Sequence, residues 1–227
     1  MVESGLAAAP AMPQKINPRS TPNRFLGKMG KAAAPAKRTA TGVFSLKVTL
    51  RNVRPPIWRR ILVRGGMTFG DLHMAIQVAM GWQGGHMHAF DVGGQQYGEP
   101  GSLEDGGNEE RLTLNGVIKS GVNRFTYTYD FGDDWEHDIL IEKAPPRTDA
   151  TAFPACVAGK RNCPPGDCSG PWGYFDLLEI LKNPDHPSHE EQREWIGGDF
   201  DPEAFSISAA AATLATVFRR KDAPATT

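Results

Sequence analysis

The chain contains 227 residues, 40% of them hydrophobic and 22% charged, which is the composition of a soluble globular protein with room for one sizeable domain. No apolar run approaches the roughly 18 residues of a membrane span, and the N-terminus lacks the basic and long apolar regions of a secretory signal, which predicts no membrane contact and a cytoplasmic location. The net charge of -1 is unevenly distributed, because residues 1–42 hold seven basic residues and one acidic residue while the remainder holds 18 basic and 25 acidic residues.

The first 42 residues form a tail rich in alanine and proline, with few large apolar side chains. Such a segment buries too little surface to offset its ordering entropy, so we predict that residues 1–42 are disordered. Their positive charge suits a weak contact with nucleic acid, and a merely solvated extension is the alternative interpretation. Residues 221–227 are predicted to be a second disordered end, which leaves residues 43–220 as one folded domain.

The domain begins with two predicted strands and a helix. Apolar and polar residues alternate over residues 43–51, the pattern of a half-buried strand. The segment RPPIW interrupts this strand because proline cannot join a central ladder, and a second strand follows at residues 58–63. Thr68 is placed to cap a helix that Gly81 ends, and apolar residues recur on one face between them.

The middle of the chain is predicted to be mainly β-structure. HMHAFDV at residues 86–92 favours a strand, and a loop rich in Gly, Glu and Asp covers residues 98–111. RFTYTYDFGDDWEHDILIE predicts a β-hairpin with Gly and Asp in its turn. On its second strand His137 shares a face with apolar residues, while Glu136 and Asp138 share the other face. The acids of the hairpin are therefore not expected to converge on one site.

Helical segments close the chain. YFDLLEILKNP predicts a helix that ends before Pro184. SHEEQREWIGG predicts another helix, with Ser188 as its N-cap and Glu191 completing a capping box. Asp201 is predicted to cap a further turn, and an alanine-rich helix lies near residues 208–220. This order indicates an α+β fold with a mixed or antiparallel sheet, an early amphipathic helix and a C-terminal helical segment.

All three cysteines, Cys156, Cys163 and Cys168, fall within one segment, ACVAGKRNCPPGDCSGPWGY. The spacing lacks the C-x-x-C of a redox pair, whereas three cysteines and one histidine are a standard ligand set for structural zinc. We predict His137 as the fourth ligand, because it faces inward on the preceding hairpin. The alternative is that the cysteines are buried thiols without a metal. The rival fourth ligands are His86, His88, His186 and His189.

Enzyme signatures are missing from the sequence. It contains no G-x-S-x-G, P-loop or H-E-x-x-H motif, and no G-x-G-x-x-G follows a strand. We therefore assign no catalytic residue. Trp82 and Trp172, which adjoin glycines, are candidates to line a groove instead of the core.

Several segments, taken together in chain order, carry a resemblance to a known family. They are LKVTLRNVRPPIWRRILV, TFGDLHMAIQVAMGW, HMHAFDVGGQQYG, YTYDFGDDWEHDI, CPPGDCSGPWGY and IGGDFDPEAF. Their order and spacing resemble the plasmid pRiA4b ORF-3-like family over about residues 43–207. The resemblance implies a compact α+β domain found on bacterial plasmids and as a passenger of insertion elements, and it supplies no catalytic residues to carry over. The segment FSISAAAATLATVF departs from the polar continuation that the family has after DPEAF.

The leading hypothesis is a non-enzymatic binding or accessory domain of unidentified ligand, associated with plasmids or mobile elements and stabilised by a structural zinc. The first alternative is a metal-dependent enzyme acting on nucleic acid or a phosphoester, with His137 and the hairpin acids at its centre. The second is a DNA-associated accessory protein tethered by its basic tail.

Overall fold

The computed structural model describes residues 42–143 and 152–222, and one eight-stranded sheet organises them in the order β5-β4-β3-β6-β7-β1-β2-β8. Its neighbours are antiparallel except for the parallel pair β4–β5. The strands are β1 (Val43–Leu50), β2 (Trp58–Arg64), β3 (His88–Val92), β4 (Gln95–Gly98), β5 (Gly107–Asn108), β6 (Arg124–Tyr129), β7 (Trp135–Glu142) and β8 (Ala155–Lys160). The helices are α1 (Phe69–Met80), α2 (Leu114–Lys119), α3 (Gly170–Lys182), α4 (His189–Trp195) and α5 (Ile207–Asp222). The predicted α+β class with a mixed sheet is confirmed.

Strand β1 lies inside the sheet between β2 and β7, and its alternating apolar residues face the core. Val48 pairs with Arg59 on β2 and with Ile139 on β7. Leu46 and Leu50, two positions to either side of Val48, are also fully buried. The half-buried strand predicted from the alternation is thus a central one, with the long β6–β7 hairpin beside it.

Helix α1 covers the apolar face of the sheet, and its caps are those predicted from the sequence. The Thr68 hydroxyl accepts a hydrogen bond of 3.1 Å from the Asp71 main-chain nitrogen. Gly81 ends the helix with a φ of 108°, a left-handed conformation that glycine adopts without steric cost. Phe69 packs edge-on against Phe90 of β3 at 4.8 Å between ring centroids.

Three features depart from the prediction. Cys156 lies in strand β8, where the sequence indicated a loop. The segment has weak β-propensity, and it forms a strand because it pairs with β2. Helix α2 was not predicted, since six residues are too few to show a helical period. Ser188 precedes α4 but its hydroxyl caps nothing: its backbone, at ψ 8°, is not in the extended conformation that an N-cap requires.

The two predicted disordered ends fall almost wholly outside the described residues. The tail lies there except for residue 42, and the C-terminal end lies there after residue 222, where α5 stops. Among the described helices, none is both long and apolar enough to cross a bilayer.

Candidate functional site

A cleft of about 460 Å³ opens where the end of α1 meets the β6–β7 turn, the segment after α4 and the loop between β8 and α3. We call residues 161–169 of that connection the cysteine-rich loop. The polar side chains that line the cleft are those of Gln83, His86, Asp130, Asn162 and Asp167. Its apolar wall includes Trp82, Tyr129, Pro164, Ile196 and Phe200. The cleft therefore combines an aromatic and aliphatic wall with a small number of convergent polar groups.

Trp82 joins the end of α1 to the cysteine-rich loop. Its indole nitrogen donates a hydrogen bond of 3.0 Å to the main-chain oxygen of Pro164. The same ring contacts Tyr129 at 5.1 Å and lies edge-on to His137 at 5.4 Å between centroids. The Trp82 ring thus contacts both His137 and the cysteine-rich loop.

His86 lies between two aspartates in the cleft. Its Nδ1 is 3.4 Å from Asp130 Oδ2, and its Nε2 is 3.5 Å from Asp167 Oδ1. The other oxygen of Asp130 accepts hydrogen bonds from the main-chain nitrogens of Gly132 at 2.9 Å and Asp133 at 3.4 Å. These bonds fix the Asp130 carboxylate, so that Oδ2 is held toward the imidazole.

The same three residues form the one group, among residues 42–143 and 152–222, whose arrangement suits a metal ion. One ligand atom from each of His86, Asp130 and Asp167 lies within 4.8 Å of the other two. The three come from segments far apart in sequence: the connection after α1, the β6–β7 turn and the cysteine-rich loop. Their convergence is therefore a product of the tertiary fold.

The four zinc ligands predicted from the sequence are all buried, and they lie in three different segments of the fold. Cys156 belongs to β8, Cys163 and Cys168 belong to the cysteine-rich loop, and His137 belongs to β7. No three of these four described residues bring their ligand atoms within 4.8 Å of one another. The Nδ1 of His137 is 3.2 Å from the main-chain oxygen of Tyr127. Zinc at these residues stays a prediction.

Burial sets the protonation of these groups. It raises the pKa of all three thiols, of Cys168 to about 12, with the Asp133 carboxylate adding to the effect there. The buried Arg59 guanidinium acts in the opposite direction on Cys156 and Cys163, but burial outweighs it. Burial also lowers the pKa of His137 to about 4. At neutral pH the thiols are protonated and the imidazole is neutral.

A second polar cluster lies beneath α1 in the core. His88 Nε2 is 2.8 Å from Glu109 Oε2, with both side chains almost fully buried. His73 stacks on His88 at 3.6 Å between centroids, and its Nδ1 is 2.7 Å from the Tyr127 hydroxyl. Gln77 donates to the same hydroxyl at 2.9 Å. This network pairs buried polar side chains inside the core, although Gln77 Oε1 is buried without a hydrogen-bond partner, and its role is structural.

Sequence reasoning identified part of the cleft. His86, a rival fourth ligand in the sequence, is the histidine that lies against the cysteine-rich loop. Asp130 was one of several hairpin acids, of which Glu136 and Asp138 do point elsewhere, since they pair with Arg51 at 3.4 and 2.8 Å. Asp167 was missed, because an aspartate after a glycine reads as an ordinary turn residue.

Comparisons with known proteins give a consistent result. The sequence model of the family described as plasmid pRiA4b ORF-3-like protein matches residues 42–209. Uncharacterized protein y4hQ of Sinorhizobium fredii (strain NBRC 101917 / NGR234) is 39% identical over 170 residues, 73% of this chain and 87% of the relative. The crystal structure of a protein of unknown function, MM3350 from Methanosarcina mazei Go1, has a TM-score of 0.68 at 38% identity, covering 73% of this chain and 96% of that one.

The segments that carry the family resemblance meet at the cleft. The α1 segment contributes Trp82, HMHAF contributes His86 and the hairpin contributes Asp130. CPPGDCSGPWGY contributes Asp167, and IGGDFDPEAF contributes Phe200. All of the quoted segments except the first, which forms β1 and β2, thus line one cleft.

Proposed function

The chain belongs to the plasmid pRiA4b ORF-3-like family, and we propose that it is a non-enzymatic binding domain whose ligand occupies the cleft. The observation that carries the proposal is the convergence of the family's sequence segments on that cleft. Segments so far apart in the chain meet at the cleft only through the tertiary fold, so a shared ligand-binding surface accounts for their joint occurrence.

The size and chemistry of the cleft support a ligand of small-molecule dimensions. Its volume of about 460 Å³ falls within the range of roughly 300–1,000 Å³ typical of such sites. Trp82 and Tyr129 offer an aromatic wall against which a planar or apolar group can pack. His86, Asp130 and Asp167 offer the few polar groups that fix a ligand's orientation.

Binding is favoured over catalysis by a cysteine thiol or by His137 because of where those side chains lie. Cys163 borders the cleft but is buried, and His137 is fully buried against the Trp82 ring. Neither side chain is presented to a bound molecule as a nucleophile or a base. A metal-dependent enzyme acting on nucleic acid or a phosphoester is the competing proposal, and phosphoesterase or nuclease turnover abolished by His137→Ala would establish it over ours.

A pair of glycine substitutions tests whether the cleft is the binding surface. Gly166 lines the cleft, and a Cβ added there meets nothing within 4 Å, so Gly166→Phe obstructs the cleft without an initial clash. Gly66→Phe is the matched control, because a Cβ at that position also meets nothing within 4 Å and Gly66 is remote from the cleft.

The two variants are compared with the unsubstituted chain in a ligand-observed NMR screen of small aromatic and heteroaromatic fragments. We expect fragment hits that Gly166→Phe abolishes and Gly66→Phe preserves. A screen without hits, or hits that survive Gly166→Phe, would contradict the proposal.

The proposal has three further parts, which concern the association with plasmids, the location and the basic tail. Association with plasmids or mobile elements is supported by the description of the family. A cytoplasmic location is supported by three free thiols, the state that a reducing compartment maintains. The basic residues 1–42 are proposed to make weak contacts with nucleic acid, and deletion of this segment should lower the salt concentration at which the protein leaves heparin. Unchanged retention after the deletion would remove this part.

A further inference from the structure

We propose that His86, Asp130 and Asp167 bind one divalent transition-metal ion in the cleft, with Zn²⁺ as the ion to test first. The inference rests on the proposed function, since it makes the ion part of the ligand-binding surface. The site differs in all its residues from the cysteine-rich zinc site predicted from the sequence.

One ligand atom from each of the three side chains lies within 4.8 Å of the other two, so a small rearrangement brings them to the spacing of neighbouring ligands around an ion. Zinc holds nitrogen and oxygen donors at about 2.0–2.2 Å, which places adjacent tetrahedral ligands roughly 3.3–3.6 Å apart. His86 lies 3.4 Å from the Asp130 carboxylate and 3.5 Å from the Asp167 carboxylate. The two carboxylates face different imidazole nitrogens, so ion binding requires one of them to rotate. Asp167, with a side chain 74% exposed, has the freedom to do so.

The donor set selects the class of ion. One imidazole nitrogen and two carboxylate oxygens suit Zn²⁺ or Mn²⁺, whereas Mg²⁺ and Ca²⁺ prefer oxygen donors alone. Two carboxylates also balance the charge of a divalent cation, while a single imidazolium would balance only one of them. The fixed Asp130 and the adjustable Asp167 together allow the site to close on the ion.

Three protein ligands leave at least one coordination position open. The cleft adjoins that position, because all three residues line it and the side chains of His86 and Asp167 are exposed. The open position assigns a chemical class to the ligand: a molecule with a carboxylate, phosphate or other donor atom that completes the coordination, and a flat apolar part that packs on Trp82.

Calorimetric titration of the chelator-treated full chain with Zn²⁺ tests the site. We expect one ion per chain, with an affinity reduced at least tenfold in His86→Ala and in Asp167→Asn. Asp134→Asn is the matched control. Asp134 and Asp167 have nearly the same left-handed backbone, with φ of 55° and 58°, which asparagine tolerates, and Asp134 is outside the group of three.

Other outcomes would overturn the inference. Absence of Zn²⁺ binding would leave His86 as a surface ion-pair partner of two aspartates, which contributes little to stability. Zinc that Cys163→Ser removes and His86→Ala retains would assign the ion to the thiols instead. Fragment binding that remains sensitive to Gly166→Phe in chelator-treated protein would keep the proposed function even if no ion bound.

Discussion

The indole of Trp82 donates its hydrogen to the main-chain oxygen of Pro164 at 3.0 Å, a contact between residues 82 positions apart. This hydrogen bond links the end of α1 directly to the cysteine-rich loop. Trp82→Phe keeps an aromatic ring but removes the donor, leaving a buried carbonyl unpaired, and should cost about 1–3 kcal/mol of unfolding free energy. Urea denaturation measures the loss, and amide exchange at Cys163 and at residues 166–168 should accelerate.

The control for this change is Trp172→Phe on α3. Trp172 is 81% exposed, so the same replacement should alter stability by no more than about 0.5 kcal/mol. Equal effects of the two variants would show that the Pro164 bond does not hold the loop.

Gly170 is required where α3 begins, because it packs on the β6–β7 turn. A Cβ at this position would overlap the main-chain oxygen of Asp133, and the residue has a φ of 68°. Gly170→Ala should therefore destabilise the protein by at least about 2 kcal/mol and separate the turn from the loop. Gly166→Ala is the companion change, which should cost about 0.5 kcal/mol or less because open space surrounds that position. Thermal unfolding of both variants checks the difference, and similar midpoints would refute it.

The buried pair of His88 and Glu109 should tolerate loss of charge better than loss of its hydrogen bond. Glu109→Gln retains an oxygen that can accept from His88 and should cost about 1–2 kcal/mol. Glu109→Ala leaves the imidazole without that partner in the core and should cost about 3–5 kcal/mol. Denaturant unfolding at neutral pH distinguishes the two, and an alanine variant as stable as the glutamine variant would show that water replaces the lost carboxylate.

His73 should make the protein sensitive to mild acid. Burial, followed by the neighbouring His88, lowers the pKa of His73 from 6.5 to about 3. Between about pH 6.5 and pH 3 the unfolded chain therefore binds a proton that the folded protein does not, so stability decreases as the pH falls through this window. One such proton corresponds to about 1.4 kcal/mol per pH unit. The His73 imidazole contacts the Tyr127 hydroxyl and stacks on His88, and His88 in turn contacts the Glu109 carboxylate.

Replacing His73 with glutamine removes this titration. Plots of unfolding free energy against pH, from urea denaturation between pH 7 and pH 4, should be shallower for His73→Gln than for the unsubstituted chain. His189→Gln on α4, outside the buried network, serves as the control for replacing a histidine elsewhere in the chain. A slope unchanged by His73→Gln would show that other groups dominate acid sensitivity.

Features that depend on nearby residues could be predicted from the sequence. The alternation of β1, the Thr68 and Gly81 caps of α1 and the inward face of His137 are all set within a few positions. Strand β8 could not be recognised, because only its pairing with β2 makes it a strand. The neighbour of His137 could not be predicted either: the strand pattern shows that the imidazole points inward but not that it packs against the Trp82 ring.

The residues of the cleft, likewise, could be predicted from the sequence only in part. His86 and Asp167 are 81 positions apart, and their contact depends on the path that the cysteine-rich loop takes around Trp82. No local pattern encodes that path. The motif segments that contain these residues resemble those of one family, and the tertiary structure brings the segments together at one cleft.

The central place of β1 has a consequence for how the chain folds during synthesis. Leu50 pairs with His137, so one side of β1 has no partner until β7 leaves the ribosome. At roughly 5–20 residues per second, that interval lasts on the order of 4–17 seconds. Throughout it, the nascent β1–β2 hairpin presents an unpaired, apolar edge that invites association with other chains. In this topology the edge is covered only after β7, its partner strand, has been made and pairs with β1.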